Sequence, residues 1–305
     1  MLTRAVEDYL RLRRTFGFKL VDTDELLRSF VAFASLRGER SVRAQTAYDW
    51  AALGPSIQRR YRRLRTVALF VDHLRTEDIN HESIPMHWFN CRAYNRYPPR
   101  IFTVDEIGRV LDRCATLWPA DSTRPITYHT LFGLLFATGM RIGEALQLRL
   151  GDIDAAGLTI KETKFRKSRW LPLHTSTVAV LETYLSSRRG VSAGSDRLFL
   201  SWRRRQPLTA GQALLTFQAL CADAGISGAG GRRKPRLHDL RHSFATHALR
   251  RCGAERDAVE RHMLALSTYL GHVSVASTYW YLEQTPELMR DIADVCETWQ
   301  HGGES

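Results

Sequence analysis

The sequence predicts a mainly α chain of two domains, the second mostly helical with one small antiparallel β-sheet. Three observations predict it. A length of 305 residues suits about two domains. Apolar residues recur at helical spacing, as at Ile57, Tyr61, Leu64, Ala68 and Val71. Strand-like alternation occurs at Leu158 to Thr163, with Trp170 to Leu173 as a partner strand. Hydrophobic residues make up 44% of the chain and charged residues 25%, an ordinary globular balance that can fill real cores.

Residues 1–78 read as one all-helical domain, with few glycines to interrupt it. The helix through Leu64 also carries Arg59, Arg60, Arg62, Arg63 and Arg65 on the faces its apolar stripe leaves free. Such a run is commonly a solvated face. In a chain of formal net charge +12 it reads better as a face that tracks phosphates, with Arg59, Arg62 and Arg63 as contacts. Residues 79–100 hold Pro85, Pro98 and Pro99 with little periodicity, which predicts a linker. The second domain spans 101–305. Thr103 followed by Glu106 is a capping-box pattern, and Ile107, Val110 and Leu111 face inward on the helix it opens. Leu131 to Ala137 is apolar nearly all round, so this helix belongs at the domain's centre. A hairpin follows, turning at Phe165 to Ser168. Helices then return, interrupted by a loop from Gly225 to Pro235. No repeat of 20 to 50 residues is present, which argues against a solenoid.

The basic charge favours polyanions, nucleic acid before anionic membrane. The first eight residues hold no apolar signal core. The longest apolar stretch, Leu131 to Met140, is too short to span a bilayer. Cys91, Cys114, Cys221, Cys252 and Cys296 lie far apart with no C-x-x-C pair, which fits a reducing cytosol and disfavours a disulfide framework or a cysteine-rich zinc site. The expected location is cytoplasmic, without a membrane partner.

The run from His238 to His247, with Arg241 inside it, is the strongest chemical signal. His238 and His242 are spaced i, i+4 as in a zincin helix, but Asp239 replaces the general-base Glu of that motif. A third ligand is available in principle from His247, His262 or His272, while Arg241, Arg250 and Arg251 oppose a cation. His238 and Arg241, spaced i, i+3, suit one phosphate equally well. Gly225, Gly228, Gly230 and Gly231 precede Arg232, Arg233 and Lys234 without the P-loop signature, so that stretch reads as a flexible basic loop. Arg141 stands just past Gly139 at a predicted helix start, where backbone N–H groups favour anions, and Glu144 can orient its fork. Taken alone, Arg141 and Glu144 make a surface pair worth tenths of a kcal/mol.

Together these stretches resemble the tyrosine recombinase (phage integrase) family. "TGMRIGEAL" around Arg141 matches the family's first arginine box, and "HDLRHSFATH" matches its H-x-x-R box. Leu270-Gly271-His272 matches the third box, and Tyr281 lies nine residues beyond His272, the family's spacing to its nucleophile. Lys164 falls in the hairpin that carries the family's lysine, with Pro172 at the customary distance. The match runs from about 103 to 290. The N-terminal part is similar only in kind, as a helical, SAM-like domain that clamps DNA.

The resemblance implies a site-specific recombinase acting through a 3′-phosphotyrosine, in integration, excision or transposition. It assigns Arg141 and Arg241 to the scissile phosphate, Lys164 to the 5′ oxygen as general acid, His238 as proton acceptor, His272 as hydrogen-bond donor and Tyr281 as nucleophile. Glu144 supports. Lys167 and Tyr279 compete with Lys164 and Tyr281. Arg203, Arg204, Arg232, Arg233 and Lys234 are expected phosphate contacts. No cofactor or metal is implied. The expected partners are double-stranded DNA and a homotetramer on two sites, with or without sister recombinases. The segment from Thr285, apolar at Leu288, Ile292, Val295 and Trp299, is the helix that would dock on a neighbour. A type IB topoisomerase and a non-catalytic DNA-binding protein are the alternatives.

Overall fold

The computed structural model describes residues 2–18, 20–86, 99–161, 168–190, 194–226, 234–251 and 256–271. The chain divides into two compact units, Met1–Arg96 and Tyr97–Ser305. Both are mainly helical, and a two-stranded antiparallel sheet is the one sheet among the described residues. None of the described helices is long and apolar enough to cross a membrane.

In the first unit, α1 (Leu2–Thr15), α2 (Val21–Leu36), α3 (Ala44–Ala52) and α4 (Ile57–Leu74) enclose Leu10, Leu27, Phe30, Trp50, Leu64 and Phe70. Ser56 caps α4, accepting the Arg59 N–H at 3.2 Å. Of the stripe expected on α4, Leu64, Ala68 and Val71 are buried, but Ile57 is 49% exposed. The first turn of α4 outruns the core, and Val67 and Phe70 widen the buried face further along.

The predicted linker also begins differently. Ile84 is buried in the core of the first unit. Glu82 donates its N–H to the Val42 carbonyl, and the Val42 N–H is accepted by His81 Nδ1 at 3.0 Å. Prolines remove helical periodicity from this segment without removing its packing.

In the second unit, α5 (Val104–Arg113) opens with the expected capping box. Thr103 Oγ1 accepts the Glu106 N–H, and the Glu106 carboxylate accepts the Thr103 N–H, both at 3.1 Å. The long apolar helix α6 (Arg124–Thr138) is central, with Leu131, Phe132, Leu134 and Leu135 buried. It packs on α5, on α8 (Thr175–Arg189) and on α10 (Leu237–Arg250). The short α7 (Ile142–Ala145) follows α6. Strands β1 (Gly157–Ile160) and β2 (Arg169–Pro172) pair with Leu158 opposite Leu171. β1 stops at Ile160 where the alternation ran on to Thr163, β2 begins one residue before the expected Trp170, and the Phe165–Lys167 part of the predicted turn lies outside the described residues. α9 (Ala210–Asp223) and α11 (Arg256–Leu270) complete the unit.

α10 anchors the start of this unit. Ser243, fully buried, donates its hydroxyl to the Asp239 carbonyl at 2.8 Å and accepts the Phe102 N–H at 2.7 Å. His247 Nε2 bonds the Phe102 carbonyl at 2.8 Å, so this histidine ties α10 to the start of the unit. Ser243→Ala strands the Phe102 N–H in the core. The expected loss is about 1–3 kcal/mol, read as a lower urea midpoint. An unchanged midpoint would contradict this account of the anchor.

Candidate active site

The first turn of α10 is fixed from outside the helix. Asp239, nearly fully buried, accepts the Arg236 N–H at 2.8 Å and the Arg236 guanidinium at 2.9 Å. Two residues along stands Arg241, which is 2% exposed. Its Nη1 donates to the Gly139 carbonyl and its Nη2 to the Leu270 carbonyl, each at 2.8 Å. Gly139 ends α6 two residues before Arg141, and Leu270 ends α11 two residues before His272. Three stretches far apart in sequence therefore meet on one guanidinium.

Gly139 is required there twice over. Its φ of +59° is the left-handed conformation that stops α6. A Cβ on it would meet the Phe244 ring at 2.4 Å, so no larger residue lets α6 approach α10 this closely.

Arg141 follows as the extended N-cap of α7. The sequence suggested that backbone N–H groups at this helix start favour an anion, and the structure shows one of them already engaged. α7 has only four residues, and the Arg141 N–H is already accepted by Glu144 Oε2 at 2.9 Å. The guanidinium is what the site offers. Arg141 Nη1 donates to Glu144 Oε1 at 2.9 Å, so Glu144 orients the fork as expected. The pair is no surface pair, because the Glu144 side chain is only 9% exposed.

Arg169, which the sequence reading passed over, also reaches Glu144 from β2. Its Nη2 donates to Oε2 at 2.8 Å and its Nη1 to Oε1 at 3.2 Å. Burial alone would raise the Glu144 carboxyl, but hydrogen bonds from Arg169 and the Arg141 backbone outweigh it and hold the group below the usual carboxylate range. A signal was available: strand alternation puts Arg169 on the same face as buried Leu171.

His238 opens to solvent on one side. Crowding by protein, followed by the Arg241 charge and joined by Arg236 and Arg141, still pushes its imidazole down to about 4. The group is therefore neutral at physiological pH and can accept a proton. That capacity is lost only as pH falls toward the depressed value. In a histidine NMR titration of the free protein, His238 is expected to titrate well below the ordinary value of about 6.5. A midpoint at or above that value would remove it as the neutral acceptor. His238 and His242 stand edge to face with ring centroids 4.5 Å apart. Among the described residues no group of three His, Cys, Asp or Glu forms that could hold a metal ion.

The remaining candidates separate clearly. In the first unit, Arg59 and Arg62 both pair with Asp22, at 3.1 and 2.6 Å. Arg63 lies 4.9 Å over the Trp50 ring and donates to the Trp50 carbonyl. These three partly serve their own fold, while Arg65 is exposed. Arg203 and Arg204 line a cleft with Arg124 and Trp202 at the start of α6. α6 has 15 residues, so they sit roughly 22 Å from its Gly139 end and cannot share Arg141's phosphate. Lys234 is exposed. A lysine not considered from sequence, Lys161, is held by Asp152 at 2.5 Å just before the hairpin turn. Lys164, Lys167, Arg232, Arg233, His272, Tyr279, Tyr281 and the segment from Thr285 lie outside the described residues.

Comparison with known proteins agrees with this geometry. The model of the phage integrase family matches residues 100–287. The integrase/recombinase y4rB of Sinorhizobium fredii is 39% identical over 298 residues, covering 94% of each chain. The tyrosine recombinase XerD of Mycobacterium tuberculosis is 32% identical over 205 residues, 65% of this chain and 61% of its own. In fold, the chain is similar to the XerH site-specific recombinase bound to a palindromic difH substrate. There the TM-score is 0.65 at 20% identity, covering 89% of this chain and 78% of that one. It is also similar to the Tn1549 transposon integrase in complex with transposon right end DNA, with a TM-score of 0.64 at 18% identity and 98% of both chains covered. With more than half of its length matched by the family model and a relative aligned nearly end to end, the chain belongs to the phage integrase family, the tyrosine recombinases.

Proposed function

We propose that this chain cuts and rejoins double-stranded DNA at specific sites through a covalent bond between Tyr281 and a 3′ phosphate. The observation that carries the reading is the Arg241 guanidinium, tied to Gly139 and Leu270 so that the stretches holding Arg141, Arg241 and His272 converge. The topoisomerase and the non-catalytic binder are not favoured by the family relatives, which are named as recombinases and integrases.

The chemistry needs a nucleophile, neutralisation of the non-bridging oxygens and a proton for the departing 5′ oxygen. Arg141 and Arg241 supply two permanent charges for the oxygens. Neutral His238 takes the tyrosine proton, and Lys164 protonates the leaving 5′ oxygen. His272 donates a hydrogen bond to the phosphate. The bond energy stays in the phosphotyrosine link, so a 5′ hydroxyl from the same or another strand can reverse the step without ATP.

The first unit, with its arginine-rich α4, acts as the clamp that closes the grip on DNA. A homotetramer on two sites, coupled through the segment from Thr285, is the working assembly. The bacterial relatives favour action in the cytosol on the nucleoid or a mobile element. The test is a nicked duplex bearing a site selected by the full chain from randomised DNA. A denaturation-resistant protein–DNA adduct and strand exchange between two sites are expected. Relaxation of supercoils without exchange would favour the topoisomerase instead.

A further inference from the structure

Arg169 lies outside the six residues assigned to the chemistry, yet it touches two of the stretches that hold them. Its side chain is only 13% exposed. Its two terminal nitrogens fork onto the two oxygens of Glu144. On its other side is Gly271, one residue before His272. A Cβ on Gly271 would stand 2.8 Å from Arg169 Nη1, and the glycine's φ is +66°. Arg141, by contrast, has a side chain 39% exposed, and its hydrogen-bond partner among the described residues is Glu144.

The direction of control follows from these exposures. A lone carboxylate can rotate about its last bond, and without Arg169 the described hydrogen bonds to Glu144 come from Arg141 alone, the main-chain N–H on Oε2 and the half-exposed Nη1 on Oε1. Two parallel bonds from a buried guanidinium fix the carboxylate plane. That plane then dictates where Arg141 can point. Because Arg169 belongs to β2, the register of the hairpin is written into the aim of Arg141, 28 residues earlier in the chain.

We propose that Arg169 is a positioning residue for strand cleavage: it holds Glu144 so that Arg141 presents its fork to the scissile phosphate. This rests on the recombinase reading above. A misplacement of about 1 Å at a reacting centre costs on the order of 100-fold in rate.

The test uses the full chain and the nicked duplex, with adduct formation measured at saturating DNA. Arg169→Ala is expected to slow adduct formation roughly 10- to 100-fold while DNA affinity stays within about threefold. Arg169→Lys, which keeps the charge but not the fork, is expected in between. Added guanidinium ion should recover part of the Arg169→Ala loss. The double variant with Arg141→Ala should be no slower than Arg141→Ala alone, because both act through one group.

Wild-type rates in Arg169→Ala would overturn the proposal, and so would defects that multiply in the double variant. Loss of folding or DNA binding in both Arg169 variants, with no recovery of rate by guanidinium, would reduce Arg169 to a structural residue. Absence of any adduct from the unmodified chain would instead sink the recombinase reading itself, and the proposal with it.

Discussion

Arg241→Ala is expected to destabilise the second unit by about 3–5 kcal/mol and to abolish strand cleavage. The guanidinium is almost wholly buried and bonds two main-chain carbonyls at helix ends. Its removal leaves the Gly139 and Leu270 carbonyls without these donors, at about 1–3 kcal/mol each, and leaves a cavity between α6, α10 and α11. The catalytic loss has a separate origin, the missing positive charge at the phosphate, for which removal of one donor typically costs about 100- to 1,000-fold. Arg241→Lys separates the two. It retains a charge on a flexible stem but cannot span both carbonyls. Stability should recover in part, while cleavage stays at least about 100-fold down. Urea unfolding and adduct formation measure the two effects. A stable, cleaving Arg241→Ala protein would show that Arg241 neither joins the three stretches nor serves the phosphate.

Much of this was legible in the sequence because it is local. The capping box at Thr103 and Glu106 involves residues three apart. Gly139 as a helix stop and the Arg141–Glu144 pair are equally short-range. The hairpin follows from alternation in two short runs, which places Leu158 against Leu171. What was missed is long-range, or depends on where the core ends. Arg169 meets Glu144 across 25 positions, and nothing in either residue's neighbours names the other. Its inward-facing place on β2 hinted at a buried partner, but an arginine beside a tryptophan and a leucine reads first as an exposed strand residue. Ile57 fits the helical period of α4 and is still exposed, because the period fixes a face and not how far the core extends along it. Arg188 is a similar case: it stands in the last turn of α8 like a solvated cation, yet it is buried with its guanidinium donating to the Ser195, Arg197 and Leu198 carbonyls. The start of the predicted linker shows the opposite case. Prolines at 85, 98 and 99 signal irregular backbone, and irregular backbone can still pack, as Ile84 does.

Tyr281→Phe is expected to eliminate the covalent adduct altogether while leaving DNA affinity within about twofold of the unmodified chain, since phenylalanine retains the ring and loses only the attacking oxygen. The competitor is Tyr279. On the helix expected from the sequence, two residues turn a side chain by about 200°, so one phosphate is expected to meet one phenol and not both. Tyr279→Phe is therefore expected to form adduct at close to the normal rate. A phenol titrates near 10 in water, and at neutral pH almost none is ionised. The neutral His238 imidazole and the charges of Arg141 and Arg241 are the features that would make such a phenol reactive. The pH dependence follows. Adduct formation should hold through neutral pH and fall only on the acid side, because the free imidazole stays unprotonated until its depressed value of about 4 is approached. A bound phosphate will raise that value by its negative charge, so the fall in rate should begin earlier on DNA than the titration of the free protein suggests. Adduct that survives Tyr281→Phe and vanishes in Tyr279→Phe would move the nucleophile by two positions, with the arginine scaffold around Glu144 and Gly139 left as it stands.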